Sequence, residues 1–200
     1  MIGIIFGPPG SGKGTQAARI EQDLHLKHLS TGDILRSEIA RDTPIGRRVK
    51  GIMAAGDLVP DELIVEIVRT RLPEAEEGAG VLLDGFPRTV RQAQALDAML
   101  AGEGHDLNFV LALDVPEKLL IDRILHRAAV EGRADDTREA IEERMREYRK
   151  LTEAVLDHYR EQGVRVEKVD GVGAPDEVFE RIHQRMASWR DGQGGSRAGA

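Results

Sequence analysis

Residues 7–15 read Gly7-Pro8-Pro9-Gly10-Ser11-Gly12-Lys13-Gly14-Thr15, directly after an apolar run and directly before a helical one that starts at Gln16. Glycines at this spacing let successive backbone N–H groups point into one concavity. A helix opening at the end of the loop adds the positive end of its dipole. Lys13 stands where an ammonium reaches terminal phosphates as a point charge. The segment therefore reads as a cradle for a polyphosphate. Loops of this kind usually set Ser or Thr directly after the lysine. Here Gly14 intervenes and Thr15 comes one later. Mg²⁺ ligation through water is then an alternative to direct ligation by a hydroxyl. Asp84, at the end of an apolar run, is either the acidic group near the metal or the cap of the turn at Gly85.

A phosphate cradle names no reaction, so the acceptor matters. Ser30-Thr31-Gly32-Asp33-Ile34-Leu35-Arg36 and Leu83-Asp84-Gly85-Phe86-Pro87-Arg88-Thr89 each follow a short apolar run. Each presents one arginine on a shaped loop. Pro87 stiffens the approach of Arg88, and Gly85 permits close backbone contact. Arg123 and Arg127, four apart, share a helix face. Arg133 and Arg144 flank the start of the next helix. Asp33 is either a contact to a metal-bound water or a local turn cap. The six histidines are scattered, and none is given a role.

These groups need a scaffold. Apolar β-type runs alternate with longer helical stretches, a pattern of βαβ units and a parallel sheet. The expected strands are 2–6, 27–29, 81–83, 109–113 and 164–169. The runs at 2–6, 81–83 and 109–113 are almost wholly apolar, as for strands covered on both faces. Thr43 before Pro44 predicts an N-cap and N1 proline. Pro60, Pro116 and Pro175 mark further helix starts. Asp136 with Glu139 predicts a capping box with the aspartate as cap. Long helices are expected over about 116–127 and 137–161. An open parallel sheet binds ligands at the C-terminal strand ends, where the loops above all lie.

Taken together, the glycine loop, Ser30-Thr31-Gly32-Asp33 and Asp84-Gly85-Phe86-Pro87-Arg88-Thr89 resemble the adenylate kinase family. Asp57-Leu58-Val59-Pro60-Asp61, Asp114-Val115-Pro116 and Arg133-Ala134-Asp135-Asp136 extend the likeness over residues 1 to about 190. The resemblance implies an α/β P-loop kinase with a five-stranded parallel sheet flanked by helices. It implies one nucleoside monophosphate kinase domain over 1–190, a mobile AMP-binding insert at 30–59, a short lid at 126–136 and a disordered tail at 191–200. It implies reversible phosphoryl transfer from ATP to AMP with Mg²⁺, giving two ADP, in nucleotide biosynthesis and adenine nucleotide homeostasis. Gly10, Ser11, Gly12, Lys13, Gly14 and Thr15 would then hold ATP phosphates, and Gly173 would meet the ATP adenine through backbone. Thr31, Asp57, Leu58, Val59 and Gln92 would line the AMP adenosine. Arg36 and Arg88 would hold the AMP phosphate, and Gly85, Phe86 and Pro87 would belong to the same AMP-binding set. Arg123, Arg127, Arg133 and Arg144 would reach the phosphates of both nucleotides. Lys13, Arg88, Arg123, Arg133 and Arg144 are the expected catalytic set. Some members carry a zinc-binding lid. Here only 128–132 separate Arg127 from Arg133 and the chain has no cysteine, so no zinc is expected.

UMP/CMP kinases share the fold and a short lid, but they usually have Ala where Thr31 stands and Asn where Thr89 stands. Both positions favour adenine. A kinase acting on a hydroxyl would need a base and would lack the Arg36/Arg88 pair. A nucleotide-dependent switch would bind without acceptor-dependent turnover. Composition bounds the rest. The 200 residues suffice for one buried core, and a net charge of −7 argues against nucleic acid or anionic membranes as partners. Zero cysteines fit a cytoplasmic setting. No heptad seam is evident, so a monomer is expected.

Overall fold

A computed structural model describes residues 1–76, 80–131 and 135–193. The strands are β1 (Ile2–Phe6), β2 (Lys27–Ser30), β3 (Val81–Asp84), β4 (Phe109–Asp114) and β5 (Val166–Asp170). The helices are α1 (Lys13–Leu24), α2 (Thr31–Ala40), α3 (Pro44–Ala55), α4 (Asp61–Glu76), α5 (Val90–Gly102), α6 (Glu117–Glu131), α7 (Arg138–Glu147), α8 (Glu153–Glu161) and α9 (Pro175–Gln193). A π-helical segment, Tyr148–Thr152, joins α7 to α8.

All strand pairs are parallel, in the order β2-β3-β1-β4-β5. The register sets Ser30 and Ile5 against Asp84, Phe6 against Ala112, and Asp114 against Asp170. The C-terminal ends are thus level. The order reverses at β1, whose neighbours are β3 and β4, and that switch point opens a crevice between the loops leaving these strands.

Strand side chains alternate between two cores. Ile2, Ile4, Phe6, Val81, Leu83, Val110 and Ala112 pack with residues of α2 to α5 and α8. Ile5, Leu82, Phe109, Leu111, Leu113 and Val169 pack on the other face with Ala17 and Ile20 of α1 and Val178, Ile182 and Met186 of α9. Both faces are covered, which is why β1, β3 and β4 are apolar without alternation. A third cluster, Val115, Leu120, Ile124, Ile141 and Met145, joins α6 to α7 beside the crevice.

The expected strands form, with β2, β3 and β4 each one residue longer and β5 starting at Val166 instead of Val164. Thr43 caps α3, its hydroxyl accepting from Gly46 N, with Pro44 in the first turn. Two local expectations are corrected. Thr137, not Asp136, caps α7, accepting from Ala140 N at 3.2 Å, while Asp136 is taken by arginines. The helix expected over 137–161 is broken in its hydrogen bonding by the π segment. Helix α9 continues to Gln193, past position 191, and 194–200 lie outside the described residues.

Candidate active site

The crevice is a cavity of about 930 Å³ lined by the loops after β1, β3 and β5, by the start of α2 directly after β2, by residues 56–59 and by α6 and α7. The loop after β1 forms its floor. Gly10 and Gly12 have φ of 80° and 91°, left-handed backbone that favours glycine. A Cβ on Gly10 would come within 2.7 Å of the Leu120 carbonyl oxygen. Gly12 is also the N-cap of α1 and offers no side chain to its first turn. Gly12 to Thr15 line the crevice, so the N-terminal turn of α1, whose first N–H groups have no intrahelical acceptor, lies at its wall. Lys13 folds over this loop, Nζ donating to the carbonyls of Gly7 at 2.7 Å and Pro8 at 3.1 Å. Burial pushes its pKa down to about 8. The Asp84 carboxylate opposes that shift, and Arg88, Arg127 and Arg144 add to it.

Opposite stands the β3 turn. Gly85 has φ of 79°, and a Cβ there would meet Thr31 Oγ1 at 2.9 Å and Arg88 NH2 at 3.2 Å. Phe86–Pro87 is a cis peptide, and Phe86 is buried. Arg88 Nε donates to Gly85 O at 2.9 Å, and Arg88 N donates to Gln92 Oε1 at 2.7 Å. Burial lowers the guanidinium pKa, Arg144 and Arg36 push the same way, and the Asp84 carboxylate opposes them. The hydroxyl of Thr89 caps α5.

Aspartates hold Arg127, Arg144 and Arg36. Arg127 donates Nε and NH2 to the two oxygens of Asp136, both at 2.9 Å. Arg144 donates NH1 to Asp136 Oδ1 at 2.8 Å and NH2 to Asp135. The Asp136 carboxylate has no exposed surface. Burial alone would raise the Asp135 pKa, but Arg144 and then Arg36 hold it below its ordinary value. Arg36 also pairs with Asp33 at 2.5 Å. Arg123 donates both terminal nitrogens to Gly171 O at 3.2 Å, bracing the loop that carries Gly173.

Of the residues expected from sequence, Gly10 to Thr15, Thr31, Arg36, Asp57 to Val59, Gly85 to Arg88, Gln92, Arg123, Arg127, Arg144, Gly173 and Asp84 all line this one cavity. Arg133 lies outside the described residues. Gln92 is buried and engaged at both ends of its amide, its Nε2 donating to Asp61 Oδ1 at 2.7 Å. Asp33 does not cap its turn. Ser30 does, accepting from Asp33 N at 3.2 Å.

Sequence reasoning missed His28. Its Nε2 lies 3.2 Å from Asp84 Oδ2 in the wall of the cavity. It also gave no role to Asp135 and Asp136 as arginine holders, or to Asp61 as the partner of Gln92 and Thr89. The Asp135-Asp136 pair was a signal. Two adjacent carboxylates beside four arginines imply pairing. His28 left none, because a strand position with an exposed neighbour on one side and a buried one on the other does not show its partner.

Asp84 is buried, faces the cavity, and lies 3.9 Å from where a Gly14 Cβ would stand. One such carboxylate beside a phosphate cradle suits Mg²⁺, which keeps several waters and takes few protein ligands. Among the described residues, no three His, Asp or Glu side chains gather as a site for an ion held by protein alone.

A family model described as adenylate kinase matches residues 5–164. The chain is 52% identical over 183 residues to an adenylate kinase of Thermus thermophilus, covering 92% of this chain and 95% of that one. It is 46% identical over 183 residues to an adenylate kinase of Xanthomonas campestris, covering 92% and 97%. It is 47% identical over 179 residues to one of Xylella fastidiosa, covering 90% and 95%.

Proposed function

The chain belongs to the adenylate kinase family, and we propose that it performs that family's phosphotransfer, from ATP to AMP, with the residues that line the crevice. It is a phosphotransferase of the nucleoside monophosphate kinase class. What supports the assignment of roles is that the glycine loop after β1 with Lys13 and the Arg36/Arg88 pair line one cavity.

On this reading Gly10 to Thr15 hold the ATP phosphates, and Lys13 leaves the loop carbonyls to meet the terminal one. The Gly171–Gly173 loop, braced by Arg123, receives the adenine of ATP. Arg36 and Arg88 take the AMP phosphate. Thr31, Asp57, Leu58, Val59 and Gln92 surround its nucleoside. Arg123, Arg127, Arg144 and Arg133 neutralise the group in flight. The acceptor is a phosphate oxygen, anionic near neutral pH, so no general base is required. Mg²⁺ would be held by the ATP phosphates and through water by Asp84, supplying charge neutralisation there. The 30–59 insert and the 126–136 lid close over the pair and exclude water. Contacts between α3 and α7 support a closing route, because Arg144 NH2 already reaches Met53 O at 3.5 Å. No helix among the described residues is long and apolar enough to cross a membrane. The cysteine-free chain fits a reducing compartment, and we place the enzyme in the cytoplasm as a monomer.

The test is ADP formation from ATP plus AMP, with and without Mg²⁺, for the native chain and Lys13→Met. Turnover is expected only with both nucleotides and Mg²⁺, and to fall at least 100-fold in Lys13→Met, as for loss of one phosphate-contacting charge. Turnover faster with CMP or UMP than with AMP would overturn the choice of acceptor.

A further inference from the structure

We infer that the π-helical turn at Tyr148–Thr152 is a register device that makes Thr152 a positioning residue for the acceptor-side Arg88. The observation is a bond between distant parts of the chain. Thr152 Oγ1 donates to the carbonyl of Arg88 at 3.0 Å. Thr152 is buried and lines the cavity.

The helix phase shows why the π turn is needed. In an unbroken α-helix, at about 100° per residue, Thr152 would share a face with Ile141 and Met145 and stand roughly 80° from Arg144. A π turn takes one residue more per hydrogen-bonded loop, so the residues beyond it lag by about one residue's rotation, roughly 80–100°. That lag cancels the offset. Arg144 and Thr152 come to the same side and both face the crevice. The cores agree with the turn. Ile141 and Met145 pack into the cluster with α6, whereas Val155, Leu156 and Tyr159, beyond the π segment, pack into the large core under α5. One helix thereby serves both sides of the site. Arg144 on one side is held by Asp135 and Asp136. Thr152 on the other holds the turn that aims Arg88.

Arg88 already has its amide N–H on Gln92 and its Nε on Gly85 O. Thr152 is the partner of its carbonyl, so three bonds fix the residue from three elements. Removing the hydroxyl frees that carbonyl and loosens the turn without touching the donor side. This inference rests on Arg88 holding the acceptor phosphate.

Thr152→Val, Thr152→Ala, Thr152→Ser and Arg88→Lys are compared with the native enzyme for AMP and ATP KM, kcat and Tm. The AMP KM is expected to rise about five- to tenfold in Thr152→Val, as for loss of one hydrogen bond, with the ATP KM within twofold of native and Thr152→Ser restoring the AMP KM. Thr152→Ala, which cannot overpack the site, gives the same readout should the valine not fold. An AMP KM within twofold of native in the folded variants, or equal rises for AMP and ATP, overturns the inference. Arg88→Lys separates the two readings. If it alone raises the AMP KM, the Thr152 bond is refuted and the role of Arg88 stands. If it too leaves the AMP KM unaltered, the acceptor role of Arg88 falls, and the inference with it.

Discussion

Arg127 grips Asp136 with two parallel bonds, Nε to Oδ2 and NH2 to Oδ1, each 2.9 Å long. The carboxylate is wholly buried, and Arg144 binds it from another helix. A buried carboxylate costs free energy to desolvate, and two guanidinium groups offset that cost only while both bonds are made. In Asp136→Asn the amide keeps the shape and loses the charge. Arg127 then loses its carboxylate partner, and Arg144 keeps Asp135 alone. We expect the substrate-free protein to lose about 2–4 kcal/mol, read from urea unfolding. ATP analogues should recover more of that loss in the variant than they add to the native chain, because phosphates replace the missing charge. Equal stability of the two proteins would show that Asp136 does not anchor the arginines.

Lys13 carries a prediction about protons. Its pKa is lowered to about 8 by burial, with three nearby arginines assisting and Asp84 opposing. Near pH 8 the free enzyme therefore holds Lys13 only part-protonated, and a bound polyphosphate favours the ammonium. ATP binding should take up protons, most strongly above pH 8, and affinity should weaken as pH rises through that value. Calorimetry in buffers of different ionisation enthalpy measures the uptake. Identical heats in all buffers at pH 8.5 would refute it. The stability sign is opposite. Folding lowers this pKa from 10.5, so the cost of the buried ammonium is complete below about pH 8 and fades between 8 and 10.5.

His28 shifts the other way. Burial works against its protonation, but the hydrogen bond to Asp84 and that carboxylate's charge, with Glu21 and Asp33 behind, raise its pKa above 6.5. A raised value in the folded state means stabilisation that is complete below 6.5 and lost as pH climbs through the folded value. The stability gap between the native chain and His28→Gln should be widest near pH 6 and narrow toward pH 8. A gap constant across that range would mean that His28 acts through packing alone.

How far the sequence foretold this site depends on what holds each residue in place. The β1 loop was legible because its geometry is local. Glycine spacing, the preceding strand and the helix after it all lie close together in the chain. The sheet was legible because strands buried on both faces must be apolar throughout, as Ile2–Phe6 and residues 109–113 are. Arg88 was found through the turn that carries it, and Arg36 through the segment that opens a helix after β2, where it lies within α2 and not on a loop. What escaped was pairing across the fold. Nothing near His28 names Asp84, 56 positions away. The π turn was hidden for a different reason. Ile141, Met145, Thr152, Leu156 and Tyr159 fit one continuous helical stripe, so the pattern favours an unbroken helix. The tertiary bonds of Arg144 and Thr152 override it.

Gly85 offers the sharpest test of the acceptor turn. Its φ is 79°, and a Cβ would stand 2.9 Å from Thr31 Oγ1 and 3.2 Å from Arg88 NH2. In Gly85→Ala the left-handed backbone costs about 1–2 kcal/mol. The methyl also pushes on two side chains assigned to AMP. Neither effect reaches the β1 loop, which is held by its own glycines and by Lys13. We therefore expect the AMP KM to rise roughly tenfold or more, since a displaced clamp loses a charge-assisted bond, while the ATP KM stays near native. A general loss of folding would move both constants and the fraction of active enzyme together. Steady-state kinetics with each nucleotide varied in turn, on protein whose Tm has been measured, separates the two. An unaltered AMP KM would mean that the β3 turn does not hold the acceptor.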